Sequence, residues 1–425
     1  MNFADSQIVG SIMTENNFET TGNIAEADLI FVNTCSIRDH AEKRVRARLQ
    51  EFKRYKKNKP GLIIGVLGCM AERLKSQLIE EEKMVDLIVG PDAYRDLPRL
   101  LSVAESGQKA INVILSADET YADINPVRLD SNGISAFISI MRGCENFCSY
   151  CVVPFTRGKE RSRDPETIVK EATELFESGY REVTLLGQNV NSYNSSDGTG
   201  FASLMAKVAA VNPLLRVRFA TSHPKDLSDE LLGTMAAYPN ICRSIHLPVQ
   251  SGSDTVLKRM NRKYNREWYL GRIASIRKFI PDCTISTDII TGFCGETEEE
   301  HNETLSLMNQ VGYEYAFMFK YSEREGTTAA KKFTDDVPEE IKSRRLKEII
   351  DLQQELSTKS NLSDIGKTFS VLVENVSKKS SSELSGRNSQ NKVVVFRKDE
   401  FKPGDYVNVR ITSCTPATLK GEVID

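Results

Sequence analysis

Ala136-Phe-Ile-Ser-Ile-Met-Arg-Gly-Cys144-Glu-Asn-Phe-Cys148-Ser-Tyr-Cys151 anchors everything else in this 425-residue chain. An apolar run, Ala136–Met141, leads into three cysteines with three and then two residues between them. Cysteines so spaced on one loop can fold around a cubane iron–sulfur cluster and ligate three of its four irons. The fourth iron is then open to an exogenous ligand. An open iron suits chemistry, whereas a cluster that only carries electrons usually has all its irons closed by thiolates. The competing reading is structural zinc, which wants about four closed ligands. No fourth Cys or His lies close by in sequence, and Cys242 is far downstream.

From this loop outward, residues 135 to about 357 repeat strand and helix. The expected strands are Ala136–Met141, Glu182–Leu186, Arg216–Ala220, Ser244–Val249, Thr284–Ile290 and Ala316–Lys320. Helical segments intervene. One starts at Asp164-Pro165-Glu166, where Asp can cap and Pro fits the first turn, and another near Ser228. Six such units with right-handed crossovers close into most of a barrel. Gly187 and Gln188 follow the second strand, and His246 and Gln250 lie at the end of another, so all four are candidates to line the cavity at the strand ends. A last helix, Glu339 to about Lys359, carries Ile341, Leu346, Ile349, Ile350, Leu352 and Leu356, a stripe expected to be core packing.

Upstream, residues 1 to about 125 also alternate apolar runs and helical patterns. Asp28–Asn33, Leu62–Leu67 and Val85–Val89 read as buried strands of a parallel α/β sheet. Cys35 and Cys69 each follow a strand by two residues, which puts both at carboxyl ends of strands, where open α/β sheets place ligands. Arg38–Lys59 is strongly basic and reads either as a phosphate-facing helix or as a solvated face. Ser116–Gly133 has no sustained period and reads as a linker. Past Asn361, short strands at Thr368–Glu374, Lys392–Phe396, Tyr406–Ile411 and Leu419–Ile424 suggest a small antiparallel barrel. Core packing is the expected role of most of its aromatics. The fold class is therefore α/β, with a parallel α/β domain over 1–125, a partial (β/α)6 barrel over 135–358 and a small β-barrel over 362–425.

Composition sets outer limits. Net charge is −3, so the chain as a whole does not advertise nucleic acid. No segment approaches the ~18 unbroken apolar residues of a membrane span. Residues 1–6 lack a signal-peptide pattern, so a cytoplasmic protein is expected. Nine cysteines, an odd number, argue against a disulfide framework and for metal ligands plus buried thiols. Cys242, Cys283, Cys294 and Cys414 are expected to be such thiols.

The ordered set of motifs resembles the methylthiotransferases of the radical S-adenosylmethionine (SAM) superfamily along essentially the whole chain. It comprises Asn33-Thr-Cys-Ser-Ile-Arg38, Val66-Leu-Gly-Cys-Met-Ala71, Met141-Arg-Gly-Cys144, Phe155-Thr-Arg-Gly158, Glu160-Arg-Ser-Arg163, Leu185-Leu-Gly-Gln-Asn-Val190, His246-Leu-Pro-Val-Gln-Ser-Gly252, Thr287-Asp-Ile-Ile290 and Tyr321-Ser-Glu-Arg-Glu-Gly-Thr327. Ser385–Val395 and Pro403–Ile411 resemble the TRAM module, an RNA-binding barrel, with Arg387 and Lys392 as candidate RNA contacts. The resemblance implies that Cys144, Cys148 and Cys151 hold a [4Fe–4S] cluster whose open iron chelates SAM. It implies that Cys35 and Cys69 ligate an auxiliary [4Fe–4S] cluster, and that Gly187, Gln188 and Gln250 line the SAM pocket. The family's first auxiliary cysteine belongs to a Gly-Cys-Gln-Met-Asn-like motif. This sequence opens at Met1-Asn2, so that cysteine and its strand are expected upstream of Met1, through truncation or a late start codon. With two auxiliary ligands as written, that cluster is expected to assemble poorly.

Asn33-Thr-Cys-Ser-Ile-Arg-Asp-His-Ala-Glu42 is similar to the branch that methylthiolates C2 of N6-isopentenyladenosine at position 37 of tRNA. SAM there serves as both methyl donor and radical source. The implied partners are that tRNA, an electron donor such as flavodoxin or ferredoxin, and a sulfur donor, with the chain a monomer. The close alternatives are branches acting on threonylcarbamoyladenosine in tRNA or on a ribosomal-protein aspartate. A non-catalytic iron–sulfur RNA-binding protein is the alternative of another class.

Overall fold

The computed structural model describes residues 1–34, 39–129 and 132–424, and the side chains of residues 39–41 lie outside that description. The chain divides into two compact units. One comprises Met1–Leu129, Met141–Phe147 and Cys151–Arg163, and the other the remaining residues.

In the first unit, four parallel strands lie in sequence order: Leu29–Thr34, Ile63–Gly68, Leu87–Val89 and Ala110–Asn112. Pairing runs in register from Leu29 opposite Ile63 to Thr34 opposite Gly68. The central run Ile63-Ile-Gly-Val-Leu-Gly is almost wholly buried because helices cover both faces of the sheet. Helix Asn2–Glu15 contributes Ile8, Val9, Ile12 and Met13 to a core with Leu97, Leu100 and Leu101. Helix Asp39–Asn58 contributes Leu49 and Phe52 to a second core with Ile64, Val66 and Leu78. Two elements escaped the sequence analysis. Ala110–Asn112 is too short to show a period, and Asn2–Glu15 buries Asp5, Gln7 and Ser11 beside its apolar residues, which blurs its amphipathic pattern. The basic helix spends much of its charge locally. Arg46 pairs with Glu42, Glu81 and Glu82, Arg48 with Glu51, Lys56 with Asp86 and Lys59 with Asp28.

In the second unit, the six expected barrel strands form two parallel three-stranded sheets. Ser135–Ser139, Glu182–Leu186 and Arg216–Ala220 make one, and Ser244–His246, Thr284–Thr291 and Tyr315–Lys320 the other. A parallel bridge from Val217 to Ile241 links them. Asp164 caps helix Pro165–Glu177 through the amides of Glu166 and Thr167, as its sequence demanded. Ser228 likewise caps Asp229–Ala237.

A closed five-stranded barrel ends the chain, in the order Thr368–Val376, Glu383–Asn388, Val393–Arg397, Leu419–Val423 and Tyr406–Cys414. Its core holds Val371, Val394, Val409 and Phe396, with Phe369 and Phe401 packed against them. Strand Glu383–Asn388, rich in Ser, Gly and Asn, is not among the four short strands expected from the sequence. Gly386 is required there, since a Cβ would stand 2.0 Å from the carbonyl of Leu372. The turn after it meets the amino ends of the larger barrel's strands. Arg218 donates to the carbonyls of Asn388 and Ser389, Arg216 to those of Arg387 and Ser370, and Thr284 to that of Gln390.

The helix Glu339–Leu362 corrects one expectation. Its buried positions are Lys342, Arg345, Ile349, Gln353, Ser357 and Asn361, so the face it buries is largely polar and the apolar stripe is largely only half covered. The buried groups are matched one by one: Lys342 pairs with Asp335, Arg345 with Glu296, and Gln353 donates to the carbonyl of Tyr313.

Candidate functional site: two cysteine stations

The three-cysteine loop needs unusual backbone. Gly143 sits at φ +81°, where a Cβ would lie 1.8 Å from the carbonyl oxygen of Lys159. Phe147, between the first and second cysteines, has φ +48°. Each sulfur accepts an N–H. Asn146 Nδ2 donates to Cys144 Sγ at 3.4 Å, Arg262 Nη1 to Cys148 Sγ at 3.2 Å, and the Val153 amide to Cys151 Sγ at 3.5 Å. Donors aimed at sulfur stabilise thiolate, the form that ligates iron. The donor set therefore fits a cubane cluster, although among the described residues no three Cys, His, Asp or Glu groups are drawn together tightly enough to hold a metal ion.

At the carboxyl ends of the barrel strands, buried polar atoms lack partners. Both side-chain heteroatoms of Gln188 and of Asn191, Ser222 Oγ and Gln250 Oε1 are all buried without a hydrogen bond. Buried polar groups are rarely left so. These follow strands Glu182–Leu186, Arg216–Ala220 and Ser244–His246, the rim where such barrels bind ligands. A polar ligand the size of SAM would satisfy them. Gly187 is buried there too, its carbonyl accepting from Thr221 Oγ1. Gln250 is held in a left-handed conformation, φ +73°, by amide bonds with Asp288 and Ile290. His246 bonds Ser286 at 3.0 Å and stands 3.5 Å from Asp288. His223 is a neutral member of this rim. Burial, then the charges of Arg262 and Lys225, push its pKa down to about 2, and its Nδ1 accepts the Lys225 amide.

The second station lies in the first unit. Gly68, at φ +89°, turns the chain so that Cys69 opens helix Cys69–Leu74, and a Cβ there would strike Asn33 Oδ1 at 2.5 Å. Arg157 Nε donates to Cys69 Sγ at 3.2 Å, and Arg157 Nη2 pairs with Asp5 at 2.6 Å. Asp5 also takes Arg142, which faces Asp92, which in turn takes Arg161. Burial would raise the Asp5 carboxyl, but Arg157 and Arg142 outweigh it and hold the pKa at about 2. Glu72, one turn after Cys69, is raised to about 7, chiefly by burial. Cys35, the companion expected for Cys69, lies outside the described residues.

Sequence reasoning missed Arg262, Arg157, Asp5 and Asn191. Arg157 lies within the Phe155–Gly158 motif and Arg262 in none, and for both only the fold brings the guanidinium to a sulfur. Cys242, Cys283 and Cys294 are buried free thiols, and Cys414 is half-buried. Of the candidate RNA contacts, Lys392 bonds Asp364 and Ser360, while Arg387 bonds the Asn391 carbonyl and faces Glu374. Tyr406 Oη donates to the carbonyls of Arg181 and Leu214.

A partial parallel barrel carrying this cysteine loop defines a radical SAM enzyme, and comparison with known proteins agrees. Residues 138–308 match the radical SAM superfamily, residues 1–90 match "Uncharacterized protein family UPF0004", and residues 363–424 match the TRAM domain. All of this chain aligns at 61% identity with 90% of a tRNA-2-methylthio-N(6)-dimethylallyladenosine synthase from Amoebophilus asiaticus. It aligns at 58% with 94% of the one from Phocaeicola vulgatus, and at 56% with 92% of the one from Christiangramia forsetii. The fold is shared with the radical SAM methyltransferase TsrM from Kitasatospora setae (TM-score 0.56, 13% identity, covering 77% of this chain and 70% of that one). It is also shared with the cobalamin-dependent radical enzyme OxsB (TM-score 0.54, 14% identity, 83% and 53%). The chain belongs to the radical SAM tRNA methylthiotransferase family.

Proposed function

We propose that this enzyme methylthiolates C2 of N6-isopentenyladenosine at position 37 of tRNA. The observation that carries the reading is full-length identity of 61% to a relative so named, with the cysteine loop intact. When bound, a [4Fe–4S] cluster at Cys144, Cys148 and Cys151 supplies the electron that splits SAM reductively, giving a carbon radical strong enough to take hydrogen from an aromatic C–H. The chain's own residues prepare that event. Asn146, Arg262 and the Val153 amide direct N–H groups at the three sulfurs. Gln188, Asn191, Ser222 and Gln250 offer buried polar atoms to SAM, and Gly187 lies beside Gln188 on the same rim.

The remaining assignments belong to the same proposal. Cys35 and Cys69 hold the auxiliary [4Fe–4S] cluster from which sulfur is delivered, with Arg157 donating to Cys69. The domains run over 1–125, 135–358 and 362–425. The enzyme works as a cytoplasmic monomer, taking electrons from a flavodoxin or ferredoxin and sulfur from a separate donor. No helix of the described residues is long and apolar enough to cross a membrane. Arg387, with 38% of its side chain exposed, contacts tRNA. Lys392 joins it only by releasing Asp364.

Nucleoside mass spectrometry tests the substrate. tRNA from a host lacking its own enzyme, complemented with the full-length gene, is expected to gain 2-methylthio-isopentenyladenosine. A gain on threonylcarbamoyladenosine or on a ribosomal-protein aspartate instead would move the chain to another branch. No gain despite a folded, iron-loaded protein would favour a non-catalytic role.

A further inference from the structure

Arg262 is buried, and its guanidinium is held on three sides. Nε donates to Tyr264 Oη at 2.8 Å, Nη2 to the Pro248 carbonyl at 2.8 Å, and Nη1 to Cys148 Sγ at 3.2 Å. Tyr264 is itself fixed, donating to the carbonyls of Pro248 and Val249, and it packs near Trp268, Tyr269 and the neutral His223. The guanidinium also lies over the Tyr264 ring at 5.1 Å.

Among the described residues, five other buried arginines are matched by carboxylates: Arg142 and Arg157 by Asp5, Arg161 by Asp92, Arg218 by Glu182, and Arg345 by Glu296, while Arg216 instead donates to the carbonyls of Arg387 and Ser370. Arg262 differs from these in meeting a cysteine sulfur of the cluster loop. Its polar partners are a phenol, a carbonyl and a cysteine sulfur. Burying a cation without a counter-charge is strongly unfavourable. The partner that becomes anionic on ligating iron is Cys148, the middle cysteine of the cluster loop.

We propose that Arg262 is the fixed counter-charge of the cluster that Cys148 ligates, and that it sets how readily this cluster accepts the electron consumed in SAM cleavage. Reduction adds one negative charge to the cluster. A buried cation hydrogen-bonded to a ligating sulfur stabilises the reduced state more than the oxidised one, so it raises the potential. Arg262 acts through Cys148 and is thus a positioning and electrostatic residue rather than one that touches substrate.

The test is a potentiometric titration followed by electron paramagnetic resonance. It uses the full chain, anaerobically reconstituted, in a Cys69→Ala background so that the signal comes from the three-cysteine loop. Arg262→Met is expected to lower the reduced-to-oxidised ratio at a fixed potential at least about tenfold, a downward shift of about 59 mV for one electron. Arg262→Lys, which keeps the charge, is expected to stay much closer to the parent. Loss of iron in a folded Arg262→Met with iron kept in Arg262→Lys supports the same role. An unchanged potential in Arg262→Met overturns the proposal. So do equal shifts in both variants, or iron lost from both.

Discussion

Cys148 illustrates how much chemistry a single residue carries here. It is buried, takes a charge-assisted N–H from Arg262, and stands in the middle of the ligand loop. Cys148→Ala is expected to reduce 5′-deoxyadenosine formation to background while leaving circular dichroism and solubility unchanged. Gly143 supports the same loop by backbone alone. Gly143→Ala would force a methyl group to 1.8 Å from the Lys159 carbonyl at φ +81°. The loop would have to open, and iron content per chain after anaerobic reconstitution is expected to fall sharply. His223 gives a pH signature. Its folded pKa is pushed from 6.5 to about 2, so below pH 6.5 the unfolded chain takes up a proton that the folded chain refuses. Stability from this group is complete above pH 6.5 and declines as pH falls, by about 2–3 kcal/mol at pH 4.5. His223→Asn is expected to flatten that acid limb in urea melts taken between pH 7.5 and 4.5.

Elements here are tied together by buried charge as much as by apolar area. Arg218 starts from a barrel strand, pairs with Glu182 on the neighbouring strand at 2.8 Å, and reaches the carbonyls of the C-terminal barrel's turn. Arg218→Ala would strand a carboxylate that is 5% exposed, at a cost of about 3–5 kcal/mol. A lower thermal midpoint and earlier proteolysis of the segment after Leu362 are expected together. The same scale explains which elements the chain reveals without coordinates. Four expected barrel strands sit within a residue of their places, because each is a short run rich in β-branched and apolar residues between helical patterns. Ala136–Met141 was drawn too long, since the barrel strand stops at Ser139 and Met141 pairs antiparallel with Ser162. Ser244–Val249 was drawn too long, since pairing stops at His246. Glu383–Asn388 was hidden, since its polar residues suit a turn and only closure of the barrel makes them a strand. The polar buried face of Glu339–Leu362 was hidden for a related reason: its partners, Asp335, Glu296 and Tyr313, are supplied by distant segments.

Across the whole molecule, one long chain holds a cysteine at each of two stations, backed in each case by an arginine. Asp5 couples the first helix to that arrangement. Asp5→Asn would leave Arg142 and Arg157 buried without their shared counter-charge, costing about 3–5 kcal/mol. The loss is expected as a lower denaturant midpoint. It is expected to narrow only below about pH 4, as the wild-type carboxylate itself titrates toward its pKa of about 2.

The sequence by itself determined the α/β class, the cysteine loop, the strands that deliver Cys69 and the rim glutamines, and the family. Those features rest on local spacing and on periods a few residues long, which a linear chain displays directly. Only the tertiary structure decided which arginine meets which sulfur, which buried amides lack partners, and which basic residues are already engaged by acids. Each of those is a match between groups tens to hundreds of residues apart. A buried charge is tolerable only where the fold supplies its partner, and that partner cannot be read from neighbours in sequence.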